Sequence, residues 1–254
     1  LKSKKPNTAI VANVDDKEAQ AFLRIPSHDH LTFSFSDISA FHEDRAGIKF
    51  LYKNLLFTSK LLGAFNVYNI LVAIKIGEYF GIKLEKIREA ISGYTEIKGR
   101  GEKINAGQPF DVIVDYAHTP DSLVAIYEAT QYAKKKICVL GNTGGGRDTW
   151  KRPEMAKIAE QYCDHIILTN EDPYDEDPEQ IVNDMRTAIK KKSVEIIMDR
   201  REAIAKAISL ADAQDAVVIT GKGTDPFIMG PNGEKTPWSD AEVARDEIEK
   251  NLKK

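Results

Sequence analysis

The sequence predicts an α/β protein in which a C-terminal doubly wound, Rossmann-like parallel sheet follows a smaller, mixed α/β region. Two observations lead to this prediction. From residue 111 onward, short apolar runs alternate with helical patterns, which is typical of a parallel sheet covered by helices on both faces. The first hundred residues are less regular, with stretches that alternate like hairpins. A chain of 254 residues is long enough for one large or two modest domains.

The first region is predicted to combine short strands, hairpins and helices. Strands are predicted at 9–14 and 31–35, helices at 17–25, 66–80 and 84–94, and antiparallel hairpins within 38–62. The helix at 66–80 is predicted to be largely buried, because its apolar residues recur at helical spacing. Those residues are Val67, Ile70, Leu71, Val72, Ile74 and Ile76. Gly93 and Gly99 flank a stretch that we interpret as a linker, so the domain boundary is placed between residues 98 and 99.

The second region contains five apolar runs that are predicted as strands. They lie at 112–114, 137–140, 165–168, 194–197 and 216–219. Two of the helices between them begin with a recognisable signal, because Thr119 precedes Pro120 and Asp177 precedes Pro178. In both cases a capping side chain stands before a proline at the first helical position. Gln180 is also placed as in a capping box behind Asp177.

Composition argues against several classes of protein. A net charge of −3 disfavours a nucleic-acid partner, because binding to phosphates needs a basic surface. The lysines at 134–136 and 190–192 are predicted to lie at helix ends, where they favour the negative end of the helix dipole. No apolar run approaches the ~20 residues that cross a bilayer, and residues 1–6 lack a signal-peptide core, so a cytoplasmic location is expected.

The two cysteines, Cys138 and Cys163, match neither a metal-site spacing nor a disulfide framework. Both lie in apolar segments. They are therefore predicted to be buried and to act as small hydrophobic residues.

Polar residues and glycines follow four of the five predicted strands. These loops are at 115–118, 141–148, 169–173 and 221–225. Because ligands bind outside the carboxyl ends of the strands in such sheets, the loops predict one site at a shared edge. Each loop alone has a simpler explanation. The segment 141–148 fits neither a dinucleotide fingerprint nor a P-loop and could be a flexible turn. Asp115 could cap a turn, His118 could be structural, and the acidic run 171–177 could be a solvated loop.

Seven motifs occur in a fixed order along the chain. They are GAFNVYN at 63–69, GRGE at 99–102, VDYAHTPD at 114–121, RD and KRP within 147–153, DP and EDP within 172–178, GKG at 221–223, and WSD and AR within 238–245. In this order and spacing the chain resembles the Mur ligases, most closely the type that adds the third residue of the peptidoglycan peptide. The likeness covers essentially the whole chain.

The resemblance implies an ATP-dependent acid–amino-acid ligase of three domains. Residues 1–98 would form the rear of the central, mixed α/β ATPase domain, and residues 99–254 the C-terminal amino-acid-binding domain. A substrate carboxylate takes the terminal phosphate of ATP, and an amine then displaces phosphate from the acyl phosphate to give an amide. The resemblance implies Mg²⁺ as the metal of the full-length enzyme, and UDP-N-acetylmuramoyl-dipeptide and a diamino acid as substrates. Action as a monomer, with neither nucleic acid nor membrane as partner, is expected.

The resemblance also implies two groups of site residues in this sequence. The nucleotide-binding residues would be Asn66, Asn69, Arg100, Asp115 and His118. Amide groups suit the edge of the adenine base, a guanidinium suits phosphates, and a carboxylate suits the ribose hydroxyls. The amino-acid-binding residues would be Arg147, Asp172, Pro173, Tyr174, Gly221 and Asp225. Arg147 is expected to pair with a carboxylate of the incoming amino acid.

Three departures from the family pattern affect the expected function. The P-loop, the modified metal-bridging lysine and the N-terminal domain are absent from the chain, so no catalytic residue is assigned and the chain alone is expected to be inactive. Tyr174 stands where members that use meso-diaminopimelate have an arginine, and Thr224-Asp225 stands where the family has His-Glu. With the acids at 171–177 around it, such a pocket is expected to favour an ammonium-tipped acceptor such as L-lysine.

Two kinds of alternative remain open from the sequence. Within the acceptor pocket, Arg200 or Arg201 could replace the missing guanidinium while the acids point to solvent. At the level of function, the chain could belong to a related amide ligase of the folylpolyglutamate or cyanophycin synthetase type. It could also be a non-catalytic binding module derived from a Mur ligase.

Overall fold

The chain divides into two units, Leu1–Thr95 and Glu96–Lys254. A computed structural model describes residues 7–146 and 148–253. Within these ranges, none of the helices combines the length and the apolar character that crossing a bilayer requires.

The first unit combines a parallel strand pair, an antiparallel meander and helices. Its strands are β1 (Ala9–Asn13), β2 (Asp29–Phe33), β3 (Ile38–Asp44), β4 (Gly47–Tyr52) and β5 (Leu55–Ser59), and its helices are α1 (Ala19–Leu23), α2 (Phe65–Tyr79) and α3 (Leu84–Gly93). β1 pairs in parallel with β2, whereas β3, β4 and β5 form an antiparallel sheet. The predicted hairpins are confirmed. At the β4–β5 turn, Lys53 and Asn54 both have positive φ, as a two-residue hairpin turn of type I′ requires.

The core of the first unit lies between the meander and α2. Phe50 and Phe57 stack with their ring centroids 5.7 Å apart, and Ile74 of α2 packs in the same cluster. The predicted burial of α2 holds for Val67, Ile70, Leu71 and Ile74. It is wrong for Ile76, which is 40% exposed. The 31–35 strand was also misplaced, because it ends at Phe33 and a 3-10 turn begins at Phe35.

The second unit is built on a six-stranded sheet in the order β10-β9-β8-β11-β7-β6. Its elements are β6 (Glu102–Lys103), β7 (Asp111–Asp115), α4 (Pro120–Glu128), β8 (Lys136–Leu140), α5 (Lys151–Tyr162), β9 (His165–Leu168), α6 (Pro178–Ala188), β10 (Val194–Ile196), α7 (Arg200–Leu210), β11 (Ala216–Thr220), β12 (Phe227–Met229), β13 (Lys235–Pro237) and α8 (Asp240–Leu252). β7 to β11 are all parallel, and only β6 runs antiparallel, at one edge. β12 and β13 form a separate hairpin.

Helices cover both faces of this sheet. Val139, Val217 and Ile219 point to one face, where they pack against α7 and α8 in one apolar cluster. Their neighbours along the strands point the opposite way, because side chains alternate in a strand. α4, α5 and α6 pack against one another as a second helical layer. The predicted doubly wound α/β fold is therefore confirmed.

The capping predictions are confirmed for the cap residues and wrong for one partner. Thr119 accepts a hydrogen bond from the backbone N–H of Ser122, and Asp177 accepts one from that of Glu179. Gln180, however, does not complete a capping box. Its amide donates to Asp184 one turn further along α6, at 2.8 Å.

The two cysteines form a disulfide, so the sequence-based interpretation of independent hydrophobic residues is wrong. Both are fully buried, as predicted. Cys138 lies on β8 and Cys163 ends α5, and the packing of this helix on the sheet brings their Cα atoms to 6.0 Å. The bond thus joins the strand and the helix that flank the loop at 141–148.

Lys136 also departs from its predicted place at a helix end. It begins β8, is buried, and donates its ammonium group to the carbonyl oxygen of Tyr127 at 2.5 Å. The rings of Tyr127 and Tyr162 lie beside the ammonium group, which is 5.8 and 5.7 Å from their centroids. Burial lowers the pKa of Lys136 to about 8.

The disulfide leads to the first prediction. Denatured protein should show no free thiol before reduction and two after it, as measured with a thiol reagent. Replacing both Cys138 and Cys163 by alanine should lower the free energy of unfolding by about 3 kcal/mol, because the loop between them is then unconstrained in the unfolded chain. Two reactive thiols in unreduced, denatured protein would contradict the bond.

Lys136 leads to a prediction about pH. Its pKa is lower in the folded state, about 8, than in the unfolded chain, about 10.4. Between these values the unfolded chain binds the extra proton, so the contribution of Lys136 to the free energy of unfolding rises with pH. Compared with wild type, Lys136→Met should lack a rise on the order of 3 kcal/mol between pH 7 and pH 10 in denaturant unfolding. The exposed neighbour provides the control, since Lys135→Met should keep the wild-type slope.

Candidate functional site

A cleft of about 290 Å³ lies at the carboxyl edge of the parallel sheet. We call it the rim cleft. Its lining residues are Tyr116, His118, Thr119, Thr143, Asp148, Lys151, Glu171, Asp172, Tyr174, Gly221 and Asp225. They come from the loops after β7, β8, β9 and β11, which are four consecutive strands of the sheet, and from the start of α5. The structure therefore brings together residues from all four loops that the sequence singled out.

Backbone hydrogen bonds hold these loops to one another. Gly221 donates its N–H to the carbonyl oxygen of Asp115 at 3.2 Å, which joins the loops after β11 and β7. Gly144 donates to the carbonyl oxygen of Asp172 at 2.8 Å, which joins the loops after β8 and β9. A side chain on Gly144 would place its Cβ 2.1 Å from the carbonyl oxygen of Pro173. This close approach explains a glycine at that position, and it gives buried Pro173 a packing contact.

Asp172 and Lys222 form a buried ion pair under the rim cleft. The ammonium group of Lys222 lies 2.8 and 2.7 Å from the two carboxylate oxygens, and it is also 3.6 Å from the carboxylate of Asp225. Asp172 further accepts a hydrogen bond from the backbone N–H of Met229 at 2.8 Å. Its negative charge is therefore balanced within the protein. Asp172 holds the loops after β9 and β11 together and is poorly placed to balance a ligand's charge.

Glu171 is buried beside this pair with half of its carboxylate unused. One oxygen accepts a hydrogen bond from the hydroxyl of Thr143 at 2.8 Å. The other, Oε2, has no partner among the residues that the structure describes. Burial is the main cause that raises the pKa of Glu171. Gly221 leaves the space for this carboxylate, because a Cβ at position 221 would lie 2.3 Å from Oε2.

Tyr174 stands at the position where family members that use meso-diaminopimelate have an arginine. Its φ of +51° is in the left-handed region, and its backbone N–H donates to the carbonyl oxygen of Met229 at 3.0 Å. Its ring lies beside Gly145. Arg147, which the sequence also assigned to the amino acid, lies outside the described residues.

The acids from 175 to 177 do not surround the rim cleft as the sequence suggested. Asp175 accepts the backbone N–H of Asn232, Glu176 pairs with Arg152, and Asp177 caps α6. These three carboxylates stabilise the loop itself. The acidic lining of the cleft is therefore Glu171, Asp172, Asp148 and Asp225.

The alternative that Arg200 or Arg201 replaces the missing guanidinium is wrong. Arg200 is buried and forms two hydrogen bonds to Asp240, at 2.8 and 2.7 Å. Arg201 pairs with Glu247 at 2.9 Å. Neither arginine lines the rim cleft.

Asp115, at the end of β7, holds the segment that precedes the sheet. Its two carboxylate oxygens accept the backbone N–H groups of Gly101 at 2.6 Å and of Ala117 at 2.7 Å. Burial raises the pKa of Asp115, and these two hydrogen bonds oppose that shift. The bond to Gly101 fixes the backbone next to Arg100.

Near Asp115, the ring of Tyr116 contacts both Arg100 and His118. The guanidinium of Arg100 lies 4.3 Å from the ring centroid of Tyr116, and the rings of Tyr116 and His118 meet edge to face at 4.6 Å. Nδ1 of His118 lies 2.9 Å from the carbonyl oxygen of Tyr116. Because a carbonyl oxygen only accepts, Nδ1 carries a proton, and Nε2 is the acceptor nitrogen of the neutral ring. Arg100 is exposed and has no hydrogen bond or ion pair from its guanidinium within the described part of the chain.

Asn66 and Asn69 lie in the first unit, in the first turns of α2. Asn66 is buried and donates its side-chain N–H to the carbonyl oxygen of Leu62 at 2.6 Å. Its side-chain oxygen accepts a hydrogen bond from Asn69 at 3.0 Å. Asn69 is exposed. The inner amide thus orients the outer one.

Sequence reasoning missed several residues of the rim cleft. Tyr116, Thr143, Asp148 and Lys151 line it, but none was assigned a role. The KRP motif contains Lys151, but the sequence gives no indication that this lysine is buried. No group of three or more histidine, cysteine or acidic side chains in 7–146 and 148–253 is arranged to hold a metal ion.

The sequence and the fold of this chain are similar to those of known proteins. A family model described as the Mur ligase middle domain matches residues 1–77, and one described as the Mur ligase, glutamate ligase domain matches residues 99–223. The chain is 39% identical over 249 residues to a UDP-N-acetylmuramoyl-L-alanyl-D-glutamate–2,6-diaminopimelate ligase of Bacillus cereus, covering 94% of this chain and 50% of the relative. The ligase of the same name from Fusobacterium nucleatum is 38% identical over 259 residues, with 98% and 53% covered.

Solved structures agree in fold. A 2,6-diaminopimelate ligase of the same name superposes with a TM-score of 0.66 at 31% identity, covering 96% of this chain and 53% of that one. A MurF ligase from Thermotoga maritima in complex with ADP gives a TM-score of 0.68 at 17% identity, covering 98% and 55%. The second likeness is one of fold alone. The chain spans about half the length of the curated relatives it matches.

The Asp172–Lys222 pair leads to a prediction about stability. Lys222→Met should lower the free energy of unfolding by about 3–5 kcal/mol, because it leaves the buried Asp172 carboxylate without its cation. Denaturant unfolding measures the loss, and the exposed Lys190→Met serves as the matched control. Adding Asp172→Asn to Lys222→Met should recover part of the loss. A change below about 1 kcal/mol in Lys222→Met would show that the pair is of the weak, solvent-screened kind.

Proposed function

Since this chain belongs to the Mur ligase family, we propose that it is part of an ATP-dependent ligase. The reaction would add the third amino acid to UDP-N-acetylmuramoyl-dipeptide in the synthesis of the peptidoglycan precursor. The two relatives described above, at 39% and 38% identity, carry the name of such a ligase. A folylpolyglutamate synthase neighbour is 18% identical over 76% of this chain, which is a likeness of fold. The related-ligase alternative therefore has less support, and no observation favours a non-catalytic module.

The proposed division of labour follows the two regions of the chain. Residues 1–98 would be the rear of the central ATPase domain, and residues 99–254 the amino-acid-binding domain. The separation of the two units between Thr95 and Glu96 supports a boundary near this point. The ranges of the two family models, 1–77 and 99–223, lie on either side of it.

The observation that carries the proposal is the rim cleft, which contains a lysine and buried acids at the carboxyl edge of a parallel sheet. A small polar cleft with charges of both signs suits an amino acid. In the proposed reaction, the amine of this amino acid attacks an acyl phosphate, forms the amide and releases phosphate. The domain's part is to position the amine and to keep it accessible.

On the nucleotide side, Arg100 would contact phosphates, since its guanidinium lies over the ring of Tyr116 and has no ion pair among the described residues. Asp115 and His118 would lie beside the ribose, and Asn66 and Asn69 would meet the adenine. ATP supplies the phosphate that activates the carboxylate. The family resemblance implies Mg²⁺ for the proposed enzyme, and we assign it no ligand among the residues described.

We propose a diamino acid as the acceptor. The relatives are named for 2,6-diaminopimelate, which has ammonium groups at both ends. Tyr174 stands where members that use meso-diaminopimelate have an arginine, so the preference for L-lysine stays a prediction for this chain. A substrate that is linked to a nucleotide is consistent with the proposed cytoplasmic location. Both cysteines are buried, which shields the disulfide from reductants there.

The proposal predicts different behaviour for the chain alone and for the chain preceded by a P-loop segment. The 254-residue chain should bind Mg-ATP only weakly and release no phosphate, because the backbone nest and lysine of a P-loop provide most phosphate contacts. Calorimetric titration and a phosphate-release assay measure both properties. Micromolar ATP affinity of the chain alone would contradict the placement of the nucleotide site.

The longer protein provides the positive arm of the same test. With a P-loop segment and N-terminal domain, it should join UDP-N-acetylmuramoyl-dipeptide to a diamino acid while releasing one phosphate per amide. Arg100→Ala should reduce this turnover by about tenfold or more, since it removes charge-assisted contacts to phosphate. A longer protein that releases no phosphate with any diamino acid would overturn the proposed reaction.

A further inference from the structure

Most charged groups around the rim cleft are balanced by a neighbour. Asp172 is paired with Lys222, and Arg200 with Asp240. Asp148 and Asp225 are exposed, or nearly so, and water can solvate them. Two charged side chains remain that have no ion pair among the described residues, and these are Lys151 and Glu171.

Lys151 is a buried cation in an unfavourable position. It is the first residue of α5, it is only 7% exposed, and it lines the rim cleft. Across the described residues, its ammonium group has neither an ion pair nor a hydrogen bond. The positive end of the helix dipole disfavours a cation in the first turn. No side chain caps the helix to offset this.

The next residue shows how such a cation is normally accommodated. Arg152 is also buried in the first turn of α5, but its guanidinium pairs with Glu176 at 2.7 Å and with Asp184 at 3.0 Å. Lys151 has no such partner among the described residues, and an anion in the rim cleft would supply one.

Glu171 is the matching anion. It is 2% exposed and lines the same cleft, and its Oε2 has no partner among the residues described. The hydroxyl of Thr143 holds Oε1, which leaves Oε2 as the free acceptor. Gly221, which also lines the cleft, leaves room for this buried oxygen, because a Cβ at that position would lie 2.3 Å from it. A cation in the cleft would supply the missing partner.

We propose that Lys151 and Glu171 are the two poles of the acceptor site, where Lys151 binds a carboxylate of the amino acid and Glu171 binds its side-chain ammonium group. This inference rests on the proposed function and deepens it, because it names the residues that select a diamino acid. Neither pole binds the α-amine. That group therefore stays free to lose its proton and to act as the nucleophile.

Binding to the whole 254-residue chain tests the two poles separately. The probes are L-lysine, L-norleucine, which lacks the side-chain ammonium group, and cadaverine, which lacks the carboxylate. Isothermal titration calorimetry or ligand-observed NMR gives the affinities. Wild type should bind L-lysine about tenfold or more tightly than either analogue, since each analogue lacks one charge-assisted contact.

The variants should then remove one preference each. Lys151→Met should abolish the preference for L-lysine over cadaverine and keep the preference over norleucine. Glu171→Gln should abolish the preference over norleucine and keep the preference over cadaverine. The control variants Lys157→Met, on an exposed lysine of α5, and Glu179→Gln, on an exposed acid of α6, should match wild type.

The outcomes separate this inference from the proposed function. If wild type binds L-lysine but the variants lower the affinity for all three probes equally, the two-pole site is wrong and the acceptor cleft stands. If wild type binds neither L-lysine nor meso-diaminopimelate, both the inference and the acceptor function fail.

Discussion

The ion pair between Asp172 and Lys222 holds the carboxyl edge of the sheet in the form that creates the rim cleft. It joins the loop after β9 to the loop after β11, and through Met229 it also anchors the β12–β13 hairpin. Such a pair is expensive to bury, and it is stable only when both charges are satisfied. Its location decides which other charges in the cleft remain open. Because Lys222 is committed to Asp172, Oε2 of the adjacent Glu171 stays buried without a partner among the described residues.

Glycines at the edge of the sheet make this arrangement possible. Gly221 has a φ of +111° and leaves room for the Glu171 carboxylate. Gly99 and Gly223 approach so closely that a Cβ on Gly99 would lie 2.5 Å from the backbone of Gly223. The same loop that carries Lys222 therefore also packs against the segment carrying Arg100. Two contacts therefore explain the glycines of the GKG motif. Gly221 leaves room for the Glu171 side chain, and Gly223 lies against the backbone of Gly99.

The regular parts of the fold could be predicted from the sequence, because they depend on local periodicity. The five parallel strands follow apolar runs, and the two-residue turn at Lys53 and Asn54 follows from its flanking alternation. Features that depend on distant packing could not be predicted. The Cys138–Cys163 bond requires α5 to lie against β8, and a single pair of cysteines 25 residues apart has no pattern that indicates it. Lys136 likewise resembled a helix-end lysine until the sheet buried it.

For the candidate site, the location could be predicted from the sequence, but the charges that face the cleft could not. That four loops share one edge follows from the handedness and order of parallel strands, and the sequence predicted it. Which acids face the cleft depends on the partner each one finds. In the acidic run, Glu176 pairs with Arg152 and Asp177 caps α6. Only the first two acids, Glu171 and Asp172, line the cleft. The number of acidic residues in the sequence therefore overestimates the negative charge around a ligand in the cleft.

The contrast between Lys151 and Arg152 shows how binding can oppose stability within one helical turn. Both residues place a buried cation at the positive end of α5. Arg152 gains two carboxylates and contributes to the packing of α5 on α6. Lys151 gains none from the residues described, so its ammonium group stays available to a ligand in the rim cleft. A lysine without a partner, in the same cleft as a buried carboxylate oxygen without a partner, is explained most directly by a ligand with charges of both signs.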